Sequence, residues 1–334
     1  MNTPRRPTIR EVAAAAGVSI ATVSRIINRQ QRFSADVEAR VHAAIKQLGY
    51  QQNPAARSMV TGQTGVVGLA LFDIRNPHHA NIMKGANRVA LAHGYALLVV
   101  DMEESVSQEQ KLLEMLSMRV DALIVSALIP DATVDWLAGQ GKPVSFVGRL
   151  PRNDIAQVAT DGFMAAPMLG RYLIGQGAKR VAYVGSGRSR WNAARLDGLK
   201  SVLAEADLEP MVFDAGFHNF ASGTLIASSV FWGRERPDAV VACNDLVALG
   251  MMAEAKAMGV NIPRDVGIVG FDNIPSSLYV DPPLTTVDMR SEDLGEAAMR
   301  QVLANLATFP ERGGNILLEP RLLIRQSVQR ASMC

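Results

Sequence analysis

Seven short apolar runs recur along most of the chain, at 66–72, 96–100, 122–125, 144–147, 181–184, 239–242 and 267–269. Between most of them lie longer stretches in which apolar positions return every three or four residues, as at 80–93, 164–176 and 246–258. The runs read as strands buried on both faces and the stretches as amphipathic helices. Strands alternating with helices imply parallel sheets, because a parallel neighbour needs a crossover connection. There are too many strands for one sheet of ordinary size, so the body is expected to form two α/β lobes.

Before residue 60 the pattern is helical throughout. Thr8 and Glu11 have capping-box spacing, and Ile9, Val12, Ala13 and Ala16 share one helix face. Gly17 supplies a sharp stop, and Ser19 caps a second helix in which Val23, Ile26 and Ile27 turn inward. Ile20, Ala21, Ser24 and Arg25 then fall on other faces, and Asn28 ends the helix. Ser34 is expected to cap a third helix over 35–48, with Val37, Val41, Ala44, Ile45 and Leu48 as its apolar stripe and Gly49 as its stop. Two helices joined by so short a turn make a helix-turn-helix, whose second helix enters the DNA major groove. A plain small helical bundle is the alternative.

Charge separates these readings. The 334-residue chain has a net charge of only +2, but residues 1–60 hold nine basic and three acidic residues, a net of +6. The remainder holds 25 basic and 29 acidic residues, a net of −4. A basic head on an acidic body suits a polyanionic partner for the head, although charge alone would also fit a solvated basic terminus. Two cysteines, Cys243 and Cys334, imply no disulfide framework. No apolar run is long enough for a membrane span, and Arg5 and Arg6 lead into a charged segment unlike a secretory leader, so a cytoplasmic protein is expected.

The stretches AAGVSIATVSRIIN and LGYQQNPAARSM resemble signatures of the lac repressor (LacI/GalR) family of bacterial transcription regulators. The resemblance implies a helix-turn-helix DNA-binding domain over 1–60, ending in a hinge helix at about 53–60 that reads the minor groove. Asn53, Ala56 and Arg57 are in register with the family pattern, but Gln52 replaces a proline and Pro54 follows the asparagine. Met59 stands where the family places a leucine wedge between base pairs; an apolar methionine can do the same, and an ordinary linker is the alternative. Thr8, Ser19, Ile20, Ala21, Thr22, Ser24, Arg25 and Asn28 complete the expected DNA-contacting set. Ile20 and Ala21 would meet thymine methyls, leaving hydrogen-bonded readout to Thr22, Ser24 and Arg25, unless Ile20 packs on the first helix.

The body continues the resemblance in DGFMAA, NAARLDG, VACNDLVALG, DVGIVGFDN and DPPLTTV, similar to the family's effector domain, which looks like a periplasmic sugar-binding protein. The implied domain spans 61–330, with lobe one at about 65–160 and 291–319 and lobe two at about 161–290 and 320–330. Several apolar runs end on polar residues, among them Asp73, Ser126 and Arg149. Ligands of open α/β sheets bind outside the carboxyl ends of strands, though such residues also serve as helix caps. By resemblance, Asp161, Arg195, Asn244 and Asp272 hydrogen-bond the effector, and His218 takes the place of a stacking aromatic. Asn76, His78 and His79 fall in NPHHA, where the family has two aromatic residues. The histidines suggest a more polar or acidic effector; Arg149 would add a second cation to Arg195 unless it is simply exposed. Adjacent histidines without a third clustered partner make a poor metal site, so no metal and no cofactor are expected.

An enzyme is disfavoured, because no dinucleotide fingerprint, phosphate loop or nucleophile elbow occurs. The expected function is therefore a repressor binding a palindromic operator as a homodimer under control of a sugar, sugar acid or similar effector. A sugar-binding protein without a regulatory role is the alternative. No heptad extension is seen after Arg321, so the family's tetramerising helix is not expected.

Overall fold

The computed structural model describes residues 7–28, 31–51, 58, 62–103, 108–126, 128–187, 189–233, 235–309 and 314–328. The chain divides into two compact units, Met1–Thr64 and Gly65–Cys334.

In the first unit, helices α1 (Ile9–Ala16), α2 (Ile20–Ile27) and α3 (Ala35–Leu48) enclose Val12, Ala13, Ala16, Val23, Ile26, Val41 and Ala44. Glu11 accepts from the backbone N–H of Thr8 and from its hydroxyl, at 2.6 and 2.9 Å. Gly17, at φ +64°, ends α1 in the left-handed conformation that leaves room for the tight turn into α2. One capping expectation needs correcting. Ser34 occupies the N-cap of α3 but its hydroxyl makes no capping bond; Glu38 reaches back instead, accepting from Phe33 N–H at 3.1 Å.

The second unit holds two sheets of six strands. In chain order the elements are β1 (Val66–Leu71), α4 (Pro77–Ala92), β2 (Ala96–Asp101), α5 (Glu109–Ser117), β3 (Ala122–Ser126), α6 (Asp131–Ala138), β4 (Val144–Val147) and β5 (Ala156–Thr160). There follow α7 (Gly162–Gly175), β6 (Val181–Gly185), α8 (Arg190–Ala204), β7 (Met211–Asp214), α9 (Phe220–Phe231), β8 (Ala239–Ala242), α10 (Asp245–Ala257) and β9 (Gly267–Phe271). The last are α11 (Ser276–Tyr279), β10 (Thr285–Asp288), α12 (Ser291–Thr308), β11 (Ile316–Leu318) and β12 (Arg321–Leu323).

Lobe one carries the order β2-β1-β3-β4-β5-β11, and lobe two repeats it as β7-β6-β8-β9-β10-β12. All pairings are parallel except β10 with β12. Each sheet therefore reverses its winding beside its first strand, between β1 and β3 and between β6 and β8, which is where open α/β sheets form a crevice.

The chain passes between lobes three times, after β5, after β10 and after β11. These passages are tied together: Thr160 Oγ1 donates to Met289 O at 2.5 Å, and Asp161 N–H donates to Leu318 O at 3.1 Å. No helix among the described residues is long and apolar enough to cross a membrane.

Candidate functional site

The first unit offers one face of α2. Val23 and Ile26 are its buried side, whereas Ile20 is 44% exposed and Ala21 and Arg25 are exposed. Ile20 thus stands outside the core that would have claimed it in the alternative reading. Ser19 caps the helix by accepting from Thr22 N–H at 3.0 Å, and the two hydroxyls lie 2.9 Å apart. Asn28 Nδ2 donates to Ser24 Oγ at 3.3 Å, and Arg25 Nη1 donates to Gln31 Oε1 at 3.2 Å. Asn53, Ala56, Arg57 and Met59 lie outside the described residues.

In the second unit the crevice gathers side chains from both lobes. Lobe one contributes Phe72, directly after β1, and His78 and His79 at the start of α4; lobe two contributes Trp191, Arg195, His218 and Asp272. The Phe72 ring stands edge-on to His79 at 5.8 Å and to His218 at 5.6 Å, and Trp191 lies 4.8 Å from His218. His78 Nδ1 is 2.7 Å from Ser291 Oγ and 3.7 Å from Asp272 Oδ1, so an imidazole of one lobe faces a carboxylate of the other. Arg195 is sandwiched between Trp191, at 4.7 Å, and Phe271, at 4.3 Å. Its Nη2 is 3.5 Å from Asp272, and its Nη1 donates to Cys243 O.

Burial lowers the basicity of both His78 and His79. For His78, Asp272 pulls the other way and Arg195 adds to the lowering. For His79 the lowering is greater, with His78 and His218 contributing after burial. Imidazoles drawn largely out of water lose more by carrying charge than a single carboxylate returns.

Behind Asp272 the turn is strained and clamped. Asp272 and Asn273 adopt φ of +104° and +53°. Asp245, wholly buried at the start of α10, accepts from Ile274 N–H at 3.0 Å and Thr286 Oγ1 at 2.6 Å. Arg325 donates to Asn273 Oδ1 at 2.6 Å and to Ser277 Oγ and Leu284 O at 2.8 Å. Non-glycine residues persist in such conformations only where their surroundings fix them.

The other expected residues serve mainly as local braces. Asn76, Asp161 and Asn244 are N-caps of α4, α7 and α10, accepting from His78, Met164 and Val247 N–H respectively. Asn244 also donates through Nδ2 to His218 O at 2.7 Å, which places it beside the cluster. Asp73 is engaged by the Arg75 guanidinium at 2.9–3.2 Å, and Ser126 is buried at the end of β3. Arg149 is exposed and is not brought to the cluster. It borders a separate cavity of about 360 Å³ on lobe one, with Arg152, Gln157, Asn315 and Leu317. Two of its polar walls are already engaged: Arg152 pairs with Asp135 and Asp154, and Gln157 accepts from Leu150 N–H and donates to Arg152 O.

Phe72, Trp191 and Ser291 are members of the cluster that sequence reasoning missed. Phe72 could have been found as the neighbour of Asp73 at a strand end; nothing local marks the other two. Among the described residues no group of His, Cys, Asp or Glu is arranged to hold a metal.

Residues 8–53 match the model of bacterial regulatory proteins of the lacI family, and residues 171–328 match a periplasmic binding protein-like domain. The ribose operon repressor of Halalkalibacterium halodurans is 30% identical over 325 residues, covering 96% of this chain and 97% of that protein. The lac repressor dimer bound to operator and the anti-inducer ONPF shares the fold with a TM-score of 0.87, at 24% identity over 97% of this chain and 99% of that one. A LacI family transcriptional regulator from Enterococcus faecium with bound ribose has a TM-score of 0.70 at 26% identity, covering 79% of this chain and 98% of its own. With a helix-turn-helix head, two α/β lobes of repeated topology and relatives matched over nearly their whole length, the chain belongs to the lacI family of bacterial regulatory proteins and is a DNA-binding repressor.

Proposed function

We propose that this repressor works in the cytoplasm as a homodimer, binds a two-fold symmetric operator through α2, and responds to a small polar effector such as a sugar or sugar acid. The observation that carries the effector reading is the convergence of His78 and His79 from one lobe with Arg195, His218 and Asp272 from the other. Asn244 braces this set, and Asp73, Asn76, Ser126 and Asp161 are its further proposed effector contacts. Arg149 is left out, because it opens onto a different cavity.

The lobes already touch here, so a ligand enters by parting them and bridges them once inside. It shifts the balance between arrangements only by its difference in affinity for them. Three passages of chain between the lobes transmit that shift. Dimerisation fits the apolar side chains that lobe two leaves in solvent, Leu225 at 80% and Tyr279 at 81% exposure, and a palindromic operator mirrors a two-fold axis.

Three measurements test this reading. Gel shifts on randomised half-sites should show that replacing Ile20 and Ala21 by a polar pair changes the preferred operator; an unchanged preference removes α2 as the reader. Asp272→Ala should abolish the effector response with operator affinity intact. Sedimentation of Leu225→Glu should show a monomer, and an unaltered dimer would move the interface elsewhere.

A further inference from the structure

The crevice holds more nitrogen than a neutral ligand calls for. Four basic or potentially basic side chains, His78, His79, His218 and Arg195, gather here, and His78 and Arg195 both approach one carboxylate, Asp272; Asp288 acts on His78, and the buried Asp245 on Asp272, from further off. Asp73, which follows Phe72 on lobe one, is paired with Arg75. Two of the four are buried with a polar atom that has no hydrogen-bond partner among the described residues: His79 Nδ1, in a residue 9% exposed, and Arg195 Nε, in a residue 5% exposed. A polar group left buried and unpaired is costly, and a ligand atom that meets it recovers that cost.

We propose that the effector is an acid, a sugar carboxylate or sugar phosphate, whose anionic group is received between Arg195 and the His78–His79 pair, and that its binding takes up one proton on His78. This rests on the effector reading above and narrows it.

With neutral imidazoles, Arg195 and Asp272 cancel, and a buried anion would be left without a counter-charge. His78 is placed to supply one. Asp272 already favours its protonated form, and what opposes protonation is burial together with Arg195. An anion beside Arg195 offsets the guanidinium's field and adds its own attraction, so the imidazole becomes more basic in the complex. Ser291 Oγ, 2.7 Å from Nδ1, accepts from that nitrogen when it carries a proton. A neutral polyol can share hydrogen bonds with the same groups but provides no charge to drive the protonation.

Calorimetric titration of the full chain with matched pairs tests this: gluconate and glucuronate against glucose, and ribose 5-phosphate against ribose. Titrations at several pH values should use two buffers of different ionisation heat. The acid of at least one pair should bind at least about tenfold tighter than its neutral partner, with uptake of one proton. Its affinity should fall about tenfold per pH unit between the free and bound imidazole values. His78→Gln should flatten that pH dependence, and a purely structural role for His78 would leave it in place. If His78→Gln does not fold, the proton count on the unaltered chain still decides. A neutral sugar binding as tightly as its acid, without proton uptake, overturns the inference and leaves the effector reading standing. Failure of every probe to bind at 10 mM (about 3 kcal/mol in affinity) overturns the effector reading itself.

Discussion

Glu109 opens α5 almost wholly buried, at 3% exposure, and that burial pushes its carboxyl up to about 7. In the unfolded chain the group titrates near its ordinary value, so folding binds a proton between the two. A carboxyl raised in this way contributes stability that is complete in acid and is lost as pH climbs through the folded value. Glu109→Gln should therefore match the unaltered protein near about pH 4 and exceed it above about pH 8 in urea unfolding, the difference developing between these limits. Parallel curves across the range would mean the carboxyl is solvated. Arg325 is the second residue on which much depends, since three side-chain hydrogen bonds fix the turn that carries Asp272. Bonds from a charged donor are worth about 1.5–3 kcal/mol each but overlap in effect, so Arg325→Ala should cost about 3 kcal/mol, with Arg325→Lys intermediate. Effector affinity should fall in both variants, and full affinity in a folded Arg325→Ala protein would show that the turn holds its shape unaided.

Helices α4 and α12 lie so close that each needs a glycine opposite the other's backbone. A Cβ on Gly85 would fall 1.9 Å from Glu292 O, and one on Gly295 would fall 1.9 Å from Ile82 O. Lobe two repeats the device between α9 and α10, where Gly223 meets Val247 O at 2.1 Å and Gly250 meets Phe220 O at 2.0 Å. Gly295→Ala and Gly250→Ala should each lower stability by at least about 2 kcal/mol in chemical denaturation, because the obstruction is backbone and the helices must part. A loss below about 0.5 kcal/mol in either would show that the pair slides apart easily. The strands were read within a few residues wherever branched and apolar residues ran together, as in β1, β3, β6 and β8. β5 escaped because Gln157 interrupts AQVAT, yet that side chain is buried and its amide is satisfied by the adjoining loop. β7 alternates over four residues, and β11 and β12 have three each, too few for a periodicity to show. At the crevice, His78, His79, Arg195, His218 and Asp272 were legible from motif and strand-end position. Ser291 was not, because its role exists only once α12 returns to lobe one. Asp161 and Asn76 illustrate the opposite difficulty: capping a helix and facing a ligand select the same residue types at the same place.

The two units of the whole molecule have separate cores, and residues 65–334 contain both sheets complete. A fragment beginning at residue 65 should fold and retain effector binding while losing operator binding, as judged by calorimetry and gel shift. Retained operator affinity would place the DNA contact outside the head. The lobes themselves are not separable in this way, because α12 and β11 of lobe one follow all of lobe two except β12. Translation must therefore deliver β11 and β12, the closing strand of each sheet, within eight residues of one another at 316–323. On the ribosome neither lobe can finish before the other. A premature stop before residue 316 would strip away β11 and β12 and bare the longer strands β5 and β10, each then a template for pairing with a neighbouring chain. A nonsense allele at this point is then expected to yield aggregate rather than a half-working regulator.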